Sequence, residues 1–397
     1  MNVLHRIRLT ALVLFVLLLG GCASTDTIRG QLHYDLRPEA ARPDVFWPPA
    51  PETPRYRYVG ELLGEPNFVQ SDKTKTGGTL LVAFKWIVGL FETYTPVLLQ
   101  RPQHGAVSDS GRIYVVDAGR NAVLAFDPNP PAEDDSKNQE GHLLIWDKAT
   151  KNTRFAAPVA LAIVWNDDIV VSDAILGAVM RLNTKGEPIG TLGIGQLKRP
   201  TGLAFDRKRG LLFVADTVAH DIKVFDGSGQ LVNTIGAPGE GTGEFNAPTH
   251  LAFSDGLLYV SDTLNSRIQV FDGDGHRIRE FGERGLNVGN LTRPKGVTIG
   301  DAGIVYVVES YYNHLLIYNE QAELLLGING SGLKGDSFRL PSGVWTDGQG
   351  RIYVADMFNG RIVMFEPLDN RKTGPLAAKT TPQGTRDAPS SPLKRLP

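Results

Sequence analysis

An all-β architecture of six repeated units closed into one ring is predicted by three features of the sequence. A Pro opens each unit, at 102, 158, 200, 248, 294 and 341, and an acidic residue follows 14 to 16 positions later, at Asp117, Asp173, Asp216, Asp262, Glu309 and Asp356. Ten positions beyond each acid stands a further turn residue: Asp127, Asn183, Asp226, Asp272, Asn319 and Glu366. Between these markers run short apolar or alternating segments, such as Leu203 to Asp206, Leu211 to Asp216, Ile222 to Asp226 and Leu231 to Ile235, each bounded by Gly, Asp or Asn. Such segments read as strands. Four strands in a unit of about 45 residues is the arithmetic of a propeller blade, so the sequence predicts a six-bladed β-propeller.

The elements follow in chain order. Residues 1–21 read as a bacterial lipoprotein leader: Arg6 and Arg8 precede an apolar run from Leu9 to Leu19, too short to span a bilayer, and Leu19-Gly20-Gly21-Cys22 has the form of a lipobox. Cys22, the one Cys of the chain, is then the expected lipid-attachment residue. Ala23 behind it points to the outer membrane, facing the periplasm, in a Gram-negative cell. Residues 22–55, rich in Pro, are expected to form a tether that lifts a domain off the membrane. The propeller is placed at 56–366. Its sixth unit runs into the Pro-rich tail without a fourth strand, and Tyr56 to Leu62 is expected to supply it and close the ring, which removes the open sheet edges. An insert, 71–100, interrupts the pattern, and the run Thr79 to Glu92 has the spacing of a helix about 21 Å long. That helix either packs on the propeller or lies in the membrane interface with Trp86 at headgroup level. The tail, 367–397, is expected to be disordered.

Composition excludes several classes. The 397 residues carry 41 Lys and Arg against 43 Asp and Glu, so no bulk positive field supports a nucleic-acid partner. A single Cys rules out an internal disulfide framework and Cys-based metal clusters.

Arg199-Pro200-Thr201-Gly202, Leu211 to Asp216 and Asn265-Ser266-Arg267-Ile268-Gln269-Val270-Phe271-Asp272 resemble NHL repeats. The resemblance covers roughly 101–366. It is weakest in the second unit, where Ile175-Leu176-Gly177-Ala178 replaces the polar Asn-x-Arg element. It implies a six-bladed propeller, and it brings two enzymatic expectations, since NHL-type propellers include metal-dependent amidating lyases and the fold is shared by lactonase-like hydrolases. Trp146-Asp147 is an isolated dipeptide, so a WD-repeat assignment fails.

Candidate residues sort into three sets. The six recurring acids are expected to brace turns by accepting backbone N–H bonds. His104 and His250 stand two residues after an opening Pro and face the central channel; with His220 they are the candidate ligands for one divalent metal ion in the enzymatic alternative. They come from opposite blades, a poor arrangement for sharing an ion. No acid occupies the equivalent innermost positions, Ala160, Gly202, Gly296 and Gly343. The loops after the second strands carry Leu264, Tyr311, Tyr312 and Phe358, with Arg267 and Arg361 beside them, a composition suited to docking an envelope protein or polysaccharide. The sequence thus favours a lipid-anchored binding scaffold of the bacterial envelope over a metal-dependent lyase or hydrolase, with no cofactor expected in the favoured case.

Overall fold

The computed structural model describes residues 28–38, 44–69, 95–128, 140–330 and 337–368. They form six antiparallel sheets arranged as a six-bladed β-propeller. The innermost strands are Pro102–Val107, Pro158–Ile163, Pro200–Asp206, Pro248–Ser254, Pro294–Ile299 and Val344–Thr346, and within each blade the chain steps outward. Each repeat acid ends a second strand. In blades one to five it lies directly across from the opening Pro, as Asp117 does from Pro102 and Asp216 from Pro200. All opening prolines and acids therefore share one end of the ring, hereafter the proline end.

The second strands are buried along their whole length, as in Ile169–Asp173 and Ile352–Asp356, because both of their faces lie between blades. That is why they read as unbroken apolar runs while the outer strands alternate. The cores sit at the blade junctions, with Phe213, Phe225, Phe245 and Tyr353 fully enclosed.

Ring closure follows the expectation. Tyr56–Leu62 pairs antiparallel with Arg361–Pro367, the last strand of blade six, from Leu62 opposite Ile362 to Tyr56 opposite Pro367. Its alternation is complete: Tyr56, Tyr58, Gly60 and Leu62 are buried and the residues between are half-buried. Arg57 pairs with Glu366 at 2.6 Å across the seam.

The expected tether is corrected over its described part. Ile28–Leu32 and Phe68–Val69 extend blade one to six strands, and Phe46–Trp47 adds a fifth strand to blade six. Trp47 packs edge-on against Phe365, with ring centroids 5.2 Å apart. The outer edges of these two blades offered unpaired backbone, and short flanking segments cover it despite their prolines. No helix among the described residues is long and apolar enough to cross a membrane. Cys22, the helix expected at 79–92 and most of the tail lie outside the described residues.

Candidate functional site: the central channel

The acid ring has a structural role. Asp173 accepts backbone N–H bonds from Ala156, Ala157, Ile175 and Leu176, and Asp117 accepts them from Gln100, Arg101, Gly119 and Arg120. Asp216 takes those of Lys198, Arg199 and Ala219; Glu309 those of Arg293, Tyr311 and Tyr312. Each carboxylate thus ties the loop entering its blade to the loop after its second strand. Hydroxyls one position on extend the bracing between blades: Thr217 donates to the Pro248 carbonyl at 2.7 Å and Thr263 to that of Pro294 at 2.8 Å.

The innermost strands converge toward the proline end. A Cβ on Gly202 would stand 2.6 Å from the His250 Cα, one on Gly296 2.5 Å from the Val344 nitrogen, and one on Gly343 2.4 Å from the Gln103 carbonyl oxygen. Only glycine lets these backbones approach so closely. The Gly296 N–H donates to the Ser342 carbonyl across two blades at 2.9 Å. Into this neck His104 and His250 project from opposite sides, and their ring centroids are 6.3 Å apart. The large separation implied by opposite blades is therefore corrected, since the neck is narrower than blade order alone conveys.

Both imidazoles are held neutral. Burial pushes His104 down to about 4, with a backbone bond to Leu161 acting against the shift. Burial, then His104 and Lys295, hold His250 well below its ordinary range, and burial also lowers Lys295. His250 Nδ1 lies 3.1 Å from the Thr249 hydroxyl. His104 Nδ1, His250 Nε2 and Trp345 Nε1 are buried and have no hydrogen-bond partner within the protein.

These shifts fix an acid response. In the unfolded chain each imidazole titrates near 6.5, so as pH falls the unfolded state takes up protons first and the native state loses stability. From His104 the loss falls between about pH 6.5 and 4 and reaches roughly 3 kcal/mol at its lower limit, and His250 adds its own loss as pH falls below 6.5. Urea unfolding across that window is expected to show the decline, with His104→Gln shallower by about one proton.

The metal triad does not assemble. His220 lies in the loop after the second strand of blade three, and its Nδ1 accepts the Ala247 N–H at 3.1 Å. Among the described residues no three His, Cys, Asp or Glu side chains are grouped to hold a metal ion. Two imidazoles facing each other without a third ligand do not fit the metal centre that the enzymatic alternative implies.

From the neck the channel widens into a funnel of about 310 Å³, open at the end opposite the prolines. The innermost strands line it, but the side chains of Leu161, Ile163, Leu251, Val297 and Val344 are buried in the blade-junction cores, so much of its wall is strand backbone; Phe205 and Phe253 flank it, and Trp345 and His104 lie at its floor, 5.8 Å apart ring to ring. No carboxylate lines it, and Arg207 is its one charged residue. Beside the mouth a groove of about 800 Å³ runs between blades three and four, with Arg207, Lys208 and Arg209 on one wall and Asp255, Asp272 and Asp274 on the other.

The expected binding face lies at the other, proline end. Leu264, Tyr311 and Phe358 are exposed there, and Tyr312 is half-buried against Tyr311, with ring centroids 4.8 Å apart. Arg267 and Arg361 are corrected. Arg267 bonds to Asp262, Glu280 and the carbonyls of Gly241 and Glu244, and Arg361 bonds to Asp356 and Glu61. In blades four and six the Arg opens the third strand directly opposite the acid that ends the second, so the hairpin register consumes its charge.

No protein-family model matches the sequence, and no curated protein matches it. Among solved structures the chain is similar to a protein of unknown function from Bacteroides thetaiotaomicron, with 14% identity over 68% of this chain and 70% of that one and a TM-score of 0.51. It is also similar to a gluconolactonase from Xanthomonas campestris, with 15% identity over 68% and 89% of the two chains and a TM-score of 0.50. A virginiamycin B lyase from Staphylococcus aureus matches over 68% of this chain and 96% of its own, at 15% identity and a TM-score of 0.47. Likeness at these identities speaks to the fold alone, which is the six-bladed β-propeller.

Proposed function

We propose that the chain is a lipid-anchored, NHL-type binding module of the bacterial envelope, held by Cys22, which takes an apolar side chain of a protein partner into its funnel. The observation that carries this reading is the funnel itself: a pocket of ligand size with no carboxylate in its lining, and buried ring nitrogens without a protein partner near its floor. A donor at Trp345 Nε1 and an acceptor at a neutral imidazole suit a side chain whose apolar body ends in a hydroxyl or amide. The mixed charges of the adjoining groove suit the polar flank of such a segment.

Filling the funnel tests the reading. Ser254→Trp adds a ring at the rim of the funnel, where the Ser254 side chain is half-buried at the end of its strand, and it is expected to weaken partner capture from detergent-solubilised envelopes by about tenfold or more while leaving the melting temperature within a few degrees. Undiminished capture by this variant would refute the funnel as the binding site.

A further inference from the structure

We infer that the proline end of the ring rests on an anionic lipid surface, so that the funnel faces away from the membrane. The inference rests on the lipid-anchor reading of Cys22 and adds the orientation and the contact surface.

Three independent observations converge on it. The first is a ring of exposed apolar side chains set by the repeat itself. The position two residues after the acid is Ile175, Val218, Leu264, Tyr311 and Phe358 in blades two to six, exposed by 71, 50, 49, 57 and 58%. Ile194, Leu286 and Val288, in loops at the same end, are exposed by 73, 86 and 58%. Toward the opposite end the exposed apolar side chains Ile189, Val232, Ile278 and Leu324 lie on the flanks of the outer strands, and the loops there carry none among the described residues. Repetition around the axis makes a flat crown, whereas a partner hot spot gathers in one place.

The second is charge. The proline-end loops expose Arg101, Lys198, Arg199, Arg284, Arg293 and Arg339, and the exposed acids among their described residues are Glu240 and Glu283. The opposite end exposes Asp109, Asp167, Glu187, Asp255, Asp274, Asp301, Glu320 and Glu323 against Lys185, Arg207, Lys208 and Arg209. A chain of near-zero net charge is therefore polarised along the ring axis, with basic groups around the apolar crown. Apolar side chains within a basic rim are the composition of a surface that binds anionic bilayers.

The third is the length and direction of the chain leading to Cys22. Ile28 pairs with Leu143 and Gly30 with Gly141, so moving from Gly30 back through Ile28 moves along the outer strand toward Trp146 and the proline end. The residues between Cys22 and Ile28 span at most about 20 Å even when fully extended. An acyl chain on Cys22 then holds the ring against the bilayer at the end where the crown lies, and the long spacer expected from the sequence is not available to lift it off.

Labels on the full-length acylated chain in vesicles of phosphatidylethanolamine and phosphatidylglycerol test this. A polarity-sensitive fluorophore is attached through Leu264→Cys, through Phe358→Cys, or at the opposite end through Asp274→Cys. The first two labels are expected to shift to the blue and to be quenched about twofold or more by brominated acyl chains, with the third unchanged. Vesicles that carry the protein on flotation while the first two labels stay in water would overturn the inference and leave the anchor standing. Failure to float would overturn the anchor and the inference with it. Labels that are shielded only in native envelope vesicles would assign the crown to a protein partner, and shielding that grows with protein concentration in vesicle-free solution would assign it to a second copy; either result overturns the inference.

Discussion

Removal of Tyr56–Leu62 is expected to abolish cooperative folding of the whole ring. That strand buries Leu62 completely and leaves Tyr56 and Tyr58 less than 10% exposed, and it supplies the fourth strand of blade six. Each such side chain contributes roughly 2 to 3 kcal/mol, and the seam adds a run of backbone bonds. The sum rivals the roughly 5 to 15 kcal/mol by which a domain is stable at all. Loss of the strand also exposes Arg361–Pro367 as an open edge in the middle of an otherwise closed sheet system, a site for aggregation. Thermal melting followed by circular dichroism, with sedimentation to detect aggregates, checks the outcome. A soluble variant melting within a few degrees of the intact chain would contradict the closure.

The second large effect is expected at the turn carboxylates. Asp173→Ala removes the acceptor of four backbone N–H groups, among them those of Ala156 and Ala157 in the loop entering blade two. Hydrogen bonds to a charged acceptor contribute about 1.5 to 3 kcal/mol each, and the orphaned groups add a desolvation cost. Because water replaces part of what is lost, the loss is roughly 4 kcal/mol in all, a fall in melting temperature of about 6 °C for a domain of this size. Asp173→Asn retains one acceptor oxygen and is expected to recover part of the loss. Equal melting of the native chain and the Ala variant would remove the carboxylates from the account of what holds the blades together.

The blades, the closing strand and the acid braces were legible because each is a local pattern repeated at fixed spacing. The hydrogen bonds of the blades and braces run within one hairpin or to the loop before it, whereas the closing strand pairs with Arg361–Pro367 and was legible from the fourth strand missing in unit six. What the sequence concealed depends on distances between units. The width of the neck is set by backbones meeting at Gly202, Gly296 and Gly343, so His104 and His250, 146 positions apart in the chain, become ring neighbours. The aromatic and aliphatic residues of the proline end were readable as exposed. Arg267 and Arg361 were misread as part of that surface because their charge is spent on Asp262 and Asp356 across a hairpin. That pairing had a signal: in blades four and six the Arg follows the acid by five positions and faces it in the register. Val218, which completes the crown in blade three, was passed over because it is recognisable only once the repeats are aligned on their acids. Ile28–Leu32, with Arg29, Gly30 and Gln31 at its centre, lacks an apolar pattern, and Phe46–Trp47 is two residues long ahead of Pro48; both form because blade edges wait for them.

The division of labour between the two ends of the ring depends on the anchor, and the intact mass of the chain isolated from the membrane fraction tests it most directly. The account predicts a mature protein beginning at Cys22 and heavier than its sequence by covalently attached acyl chains. A mature chain beginning elsewhere, or one beginning at Cys22 with no added mass, would contradict it.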